Sequence, residues 1–172
     1  MFDLKGKKVL ITGASGGIGQ SIVESFAKAG AIVGLAARNE AKLQELTSTI
    51  KAKTYIFKID LSDLSSLNGF IDEADEKMEG IDILICNAGI TKDSLSMRMK
   101  NEDFTSVIDV NLNSTFILNR DMCKKMMKRK YGRIINMTSI VGVMGNPGQA
   151  NYCASKAGMI GMTKSMAMEY AS

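Results

Sequence analysis

The sequence predicts an α/β protein in which helices cover both faces of a doubly wound parallel sheet. Three observations carry this. Short, nearly uninterrupted apolar runs recur along the chain, as strands buried on both faces require. Longer amphipathic stretches separate them, the alternation expected of parallel strands joined by helices. A glycine-rich turn lies directly between the first apolar run and the first amphipathic stretch. The 172 residues suffice for one domain with a buried core, and no repeat, linker or low-complexity segment divides residues 1–172.

In order, KVLIT (8–12) is the first predicted strand, followed by a helix near 18–29. AIVGLAA (31–37) and TYIFKI (54–59) follow, with helices near 39–51 and 63–78. DILICN (82–87) precedes a long helix near 102–129, and RIINMTS (133–139) precedes the last, near 152–170. Pro147, the only proline, falls in the loop before that last helix. The final pattern is still helical at residue 172, and five strands are present where two mononucleotide-binding halves need six. The expectation is a C-terminally incomplete fold.

Composition narrows the function classes. Apolar residues make up 45% and charged residues 23%, as in soluble globular proteins. A net charge of +4 is too mild and dispersed to argue nucleic-acid binding. No run approaches the about 18 apolar residues of a membrane span, and MFDLKGKKVL lacks the apolar core of a signal peptide. Cys86, Cys123 and Cys153 are too few and too scattered for a disulfide framework or zinc site, so a reducing, cytoplasmic compartment is expected. No histidine is present, which excludes a Ser-His-Asp triad and histidine-metal sites; no metal is expected. Acidic residues over 60–79 and basic ones over 124–133 read as solvated helix faces.

ITGASGGIGQSI (11–22) has the character of a phosphate cradle. Gly13, Gly17 and Gly19, with Ser15 and Ile18 between them, allow a tight turn, close backbone approach and close helix packing. A dinucleotide's phosphates then meet free N–H groups at a helix N-terminus. The predicted domain is therefore a single dinucleotide-binding, Rossmann-type unit over 1–172. The second strand ends in Ala37-Arg38, not in an acidic residue. A guanidinium there suits a 2′-phosphate, which favours NADPH/NADP over NAD(H), unless Arg38 is only a solvated start to the next helix. Asp60 and Leu61 follow the third strand, where a carboxylate accepts from an adenine amino group or caps the next helix. Asn87, Ala88 and Gly89 follow the fourth, at the carboxyl edge where ligands of such sheets bind. Cys86 reads as a buried apolar residue.

ANYCASKAG (150–158) places Tyr152 and Lys156 four residues apart, hence on one helix face. A cation beside a phenol favours the phenolate, so Tyr152 can act as general acid or base where imidazole is missing. Ser139, at the end of the fifth strand, can hydrogen-bond a substrate oxygen as charge develops on it.

These motifs together resemble the short-chain dehydrogenase/reductase family: T-G-x-x-x-G-x-G at 12–19, N-A-G at 87–89, Y-x-x-x-K at 152–156, and a serine 13 residues before the tyrosine. The resemblance implies a catalytic set of Asn111, Ser139, Tyr152 and Lys156, with Asn111 supporting a proton relay through water. It also implies that Tyr152 and Lys156 contact the cofactor, and that the long helices near 102–129 and 152–170 build a homotetramer. Met122, Met126, Met127, Met162 and Met166 then pack in that interface or in the core. NAGITKDSLSMRMK (87–100) and GRIINMTSIVGVMGNPGQANYCASKAG (132–158) are similar to the family's 3-oxoacyl-[acyl-carrier-protein] reductases of type II fatty acid synthesis. That branch implies NADPH-dependent reduction of a 3-keto thioester, with acyl carrier protein steered by Lys128, Arg129 and Lys130 near the pocket entrance. Alternatives are another carbonyl or alcohol (an acyl-CoA, a sugar, a steroid) or a nucleotide-binding scaffold without turnover. The chain departs from the branch at Cys86, where asparagine is common, and at Gly16, where an arginine often assists Arg38.

Overall fold

The computed structural model describes residues 3–171. Its five strands are β1 (Lys8–Thr12), β2 (Ile32–Ala37), β3 (Thr54–Lys58), β4 (Ile83–Cys86) and β5 (Arg133–Asn136). They form one parallel sheet in the order β3-β2-β1-β4-β5, so the chain reverses direction across the sheet at β1 and β4. β1 is central, with Val9 in register with Val33 on one side and Ile83 on the other.

Strand alternation divides the core in two. Val9, Ile11, Val33, Leu35, Ile83 and Ile85 face one side, beneath α1 (Gly17–Lys28) and α2 (Glu40–Thr49). Leu10, Ala36, Leu84 and Cys86 face the other, beneath α3 (Phe70–Lys77) and α5 (Ser114–Arg129). Both faces being covered is why the strands read as continuous apolar runs. Gly34 is needed on the second face, because a Cβ there would come within 2.6 Å of the Met78 sulfur. No helix among the described residues is long and apolar enough to cross a membrane.

Three predicted elements change shape. The single helix expected over 63–78 is a 3-10 turn (Leu64–Leu67), capped by Asp63, and then α3. Gly69 separates them at φ +79, a left-handed conformation that ends the first piece. The long helix is α4 (Asn101–Ile108), a π-helical turn (Asp109–Asn113) and α5, without interruption. β5 stops at Asn136, three residues short of the expected strand end. The strand is the sheet's edge and its Ile135 is exposed.

The acidic and basic clusters face each other. Lys125 meets Asp72 at 2.5 Å, and Arg129 donates to both carboxylate oxygens of Asp75 at 2.9 Å. Asp75 also accepts the Ile81 N–H, while Arg129 donates to the Ile81 carbonyl, so this pair fastens α3 and α5 to the approach to β4. Such hydrogen-bonded pairs contribute more than exposed ion pairs do.

Candidate active site

Thr12 ties the carboxyl ends of β1 and β4. Its hydroxyl accepts the N–H groups of Asn87 (3.2 Å) and Ala88 (3.3 Å) and donates to the Ile85 carbonyl (3.4 Å). Asn87 in turn donates from its side chain to the carbonyls of Thr12 and Gly13. Gly13 adopts φ +67, and a Cβ on it would stand 2.8 Å from the Ala88 Cα. A Cβ on Gly19 would stand 2.1 Å from the Gly13 oxygen, so the start of α1 rests directly on the turn. Gly16 gives α1 no side-chain cap, and nothing lies within 4 Å of a Cβ on Gly17. The first-turn N–H groups are thereby left for an outside acceptor.

All the predicted binding residues of the turn, with Arg38, Asp60, Leu61 and Asn87–Gly89, border one cleft of about 570 Å³. That is the size range of ligand pockets. A glycine floor and an uncapped helix start fit the diphosphate of a dinucleotide, and the far end of the cleft is basic. Lys42, in the first turn of α2, borders the same end; sequence reasoning missed it, although it is the next cation after Arg38. Neither Arg38 nor Lys42 has an acidic partner at ion-pair distance among the described residues. Asp60 does not cap a helix; that falls to Asp63. The Asp60 carboxylate binds the Ser62 hydroxyl (2.7 Å) and N–H (2.9 Å), which holds its pKa below the usual range.

At the other end of the cleft, Gly89 meets the residues expected to react. A Cβ on Gly89 would lie 3.3 Å from Asn111 Oδ1 and 3.7 Å from Lys156 Nζ. Asn111 is fully buried in the π-helical turn and grips Ile90, accepting its N–H (2.8 Å) and donating to its carbonyl (3.0 Å). Lys156 donates to the Met137 carbonyl (2.7 Å), and its ammonium lies 5.6 Å from the Tyr152 ring centre. Burial pushes the Lys156 pKa down. Cys86 is inert by the same cause, its thiol pushed up to about 12.

Tyr152 lies in the first turn of α7 (Ala150–Tyr170), two residues later than the helix start and not at it. Ser139 does not close β5. It stands in the loop beyond it, where its Oγ accepts the Val141 N–H (3.4 Å) at the start of α6 (Val141–Met144). That loop is bound to Lys156 through Met137 and through Thr138, which donates to the Lys156 carbonyl (3.1 Å). Gly142 permits the contact, because a Cβ there would be 2.9 Å from the backbone of Lys156 and Ala157. Helix α7 thus carries Tyr152 and Lys156 and also holds the loop of Ser139, through Lys156, and Asn111, through Ser155.

The placement of Lys128, Arg129 and Lys130 near the pocket entrance is corrected. Arg133 pairs with Ile83 at the start of β4, so the basic stretch stands at the amino-terminal edge of the sheet, opposite the cleft. Arg129 is also engaged by Asp75.

The sequence profile described as short chain dehydrogenase matches residues 7–172. The chain belongs to the short-chain dehydrogenase family. The family's chemistry makes it an oxidoreductase that uses a nicotinamide nucleotide, in keeping with the cleft. Among its relatives, a 3-oxoacyl-[acyl-carrier-protein] reductase of Rickettsia bellii is 56% identical over 171 residues, covering 99% of this chain and 69% of that protein. Nodulation protein G of Rhizobium sp. (strain N33) is 50% identical, covering 99% of this chain and 70% of that protein. The crystal structure of a short-chain type dehydrogenase/reductase from Mycobacterium marinum superposes with a TM-score of 0.92 at 35% identity, over 99% of this chain and 71% of that one. Within the short-chain dehydrogenases, this chain is thus similar to the 3-oxoacyl-[acyl-carrier-protein] reductases.

Proposed function

We propose that the protein reduces the 3-keto group of an acyl chain carried on acyl carrier protein to the 3-hydroxy thioester, using NADPH, in type II fatty acid biosynthesis. The observation that carries this reading is the approach of Asn111 and Lys156 to Gly89 at one end of the cleft, with Tyr152 one helical turn before Lys156 and its ring 5.6 Å from the ammonium. The 56% identity to a 3-oxoacyl-[acyl-carrier-protein] reductase supports this substrate.

NADPH, held in the glycine-turn cleft, would supply the hydride that reduces the keto carbon. Tyr152 gives its phenolic proton to the keto oxygen, and Ser139 donates a hydrogen bond to that oxygen while it gains charge. Lys156, held by Met137, places a positive charge beside the phenolate that remains. Asn111 holds Ile90 next to Gly89 and, with Lys156, lies on the route by which the phenolate is reprotonated. Gly13, Ser15, Gly17, Ile18 and Gly19 would hold the diphosphate, Asp60 and Leu61 the adenine, Asn87–Gly89 the stretch towards the nicotinamide, and Lys156 the adjoining ribose. Three free cysteines suit a cytoplasmic setting, and exposed apolar residues on α5 and α7, such as Met127 and Met168, suit burial in a homotetramer. Met122 and Met126 belong to the core instead. Lys128 and Lys130 are left as the carrier-protein contacts; standing opposite their own cleft, they would serve the cleft of another subunit.

Loss of NADPH absorbance with an acetoacetyl thioester tests the reading. Turnover is expected to favour the carrier-protein thioester over the CoA thioester. Equal use of both would favour a different acyl substrate, and no turnover while dinucleotide is bound would sink the proposal.

Arg38 and Lys42 are expected to share recognition of the 2′-phosphate. Replacing both by alanine should weaken adenosine 2′,5′-bisphosphate binding about 10- to 100-fold by calorimetry and leave NADH binding unchanged, the scale of one or two charge-assisted hydrogen bonds. Unchanged affinity for the bisphosphate would remove both residues from the site.

A further inference from the structure

Asn111 and Tyr152 lie on different helices, yet one side chain joins them. Asn111 spends its oxygen and one amide hydrogen on Ile90, and its Nδ2 also donates to the Ser155 Oγ at 3.1 Å. Having accepted there, the Ser155 hydroxyl donates to the Tyr152 carbonyl at 2.8 Å. A serine bonding back to a carbonyl three residues earlier is common in helices. The acceptance from Asn111 is not, and it turns the serine into a bridge. Asn111 and Ser155 are both fully buried, so no solvent competes for these bonds.

The packing around the bridge is shaped to bring the two helices this close. A Cβ on Gly158, three residues beyond Ser155, would lie 2.7 Å from Leu112 of the π-helical turn. Any side chain there would have to displace the Leu112 side chain that packs over Gly158. The π-helical turn itself departs from regular helix at Asn111, a distortion often found where side chains must be aimed. On the other side of Tyr152, its N–H is taken by the Asn151 side chain (2.7 Å), which also donates to the Lys92 carbonyl (2.8 Å).

We propose that Ser155 is a positioning residue, locking the first turn of α7 that carries Tyr152 to Asn111 and, through Asn111, to the Ile90 backbone beside the cleft. The inference rests on the reading of Tyr152 as proton donor. Without the bridge, the Tyr152 turn is tied to this segment through Asn151 and Lys92 alone, and the donor stands in a looser relation to the Asn111–Ile90 clasp beside the cleft.

Ser155→Ala in the full chain removes the bridge with little change in volume. Amides of the 89–92 segment are expected to exchange with deuterium about tenfold faster, while those of β1 keep the parent rate. For acetoacetyl thioester reduction, kcat should fall about tenfold with KM within about twofold of the parent, as misplacement of a reacting group does. Ser155→Thr keeps the hydroxyl and should stay close to the parent in both readouts. Parental exchange at 89–92 in Ser155→Ala would overturn the proposal, as would a uniform acceleration that includes β1, or an equal loss in Ser155→Thr. If the parent reduces no thioester, the proposed function fails by itself, and exchange at 89–92 alone decides the bridge.

Discussion

Tyr152→Phe is expected to lower kcat for thioester reduction by about 10²–10⁴-fold, the usual contribution of a positioned acid. The substitution removes one oxygen and keeps the ring. That ring is placed by backbone bonds, its N–H to Asn151 and its carbonyl from Ser155, and neither involves the phenol. Thermal stability should therefore stay near that of the parent, which separates lost chemistry from lost structure. Rate measurements on saturated enzyme, beside a thermal melt, check this. Retained turnover would move the proton donor elsewhere, and the absence of histidine leaves few groups to take it.

The second large effect concerns the glycine turn, where two neighbouring glycines should respond in opposite ways. Gly19→Ala places a methyl 2.1 Å from the Gly13 oxygen and 2.9 Å from the Ala14 Cα, both backbone atoms that cannot swing aside. α1 must then lift from β1. A loss of about 3 kcal/mol is expected, at the upper end of overpacking costs. Melting temperature should fall by about 6–12 °C for a domain of this size. Gly17→Ala meets nothing within 4 Å and should leave melting unchanged. Its methyl enters the cleft, so the expected loss is in dinucleotide affinity alone. Equal melting of both variants would show that the close contact at Gly19 is not what seats the helix.

Much of this was legible in the sequence because it depends on neighbours along the chain. Apolar runs of strand length, the amphipathic stretches between them and the glycine spacing after the first run are local patterns, and they specify the parallel order of elements. The Tyr152–Lys156 spacing is local too, since one helical turn places both side chains on one face. Even the break at Gly69 had a local sign in Asn68-Gly69, but apolar residues at 64, 67, 70, 71 and 74 continue a helical rhythm across it and hide it.

What only the tertiary structure decided are pairings between residues far apart. Asn111 finds Ile90 and Ser155 at separations of 21 and 44 residues, and Arg129 finds Asp75 at 54. In the sequence, Ser155 is an ordinary helical serine and Arg129 one cation among several. Their roles arise because the crossover connections bring α3 to α5 and the π-helical turn to α7. The edge of the sheet on which Lys128 and Lys130 stand follows from the same cause: in a parallel sheet every helix returns the chain to the amino-terminal edge, and a residue just before a strand is carried there whatever its charge.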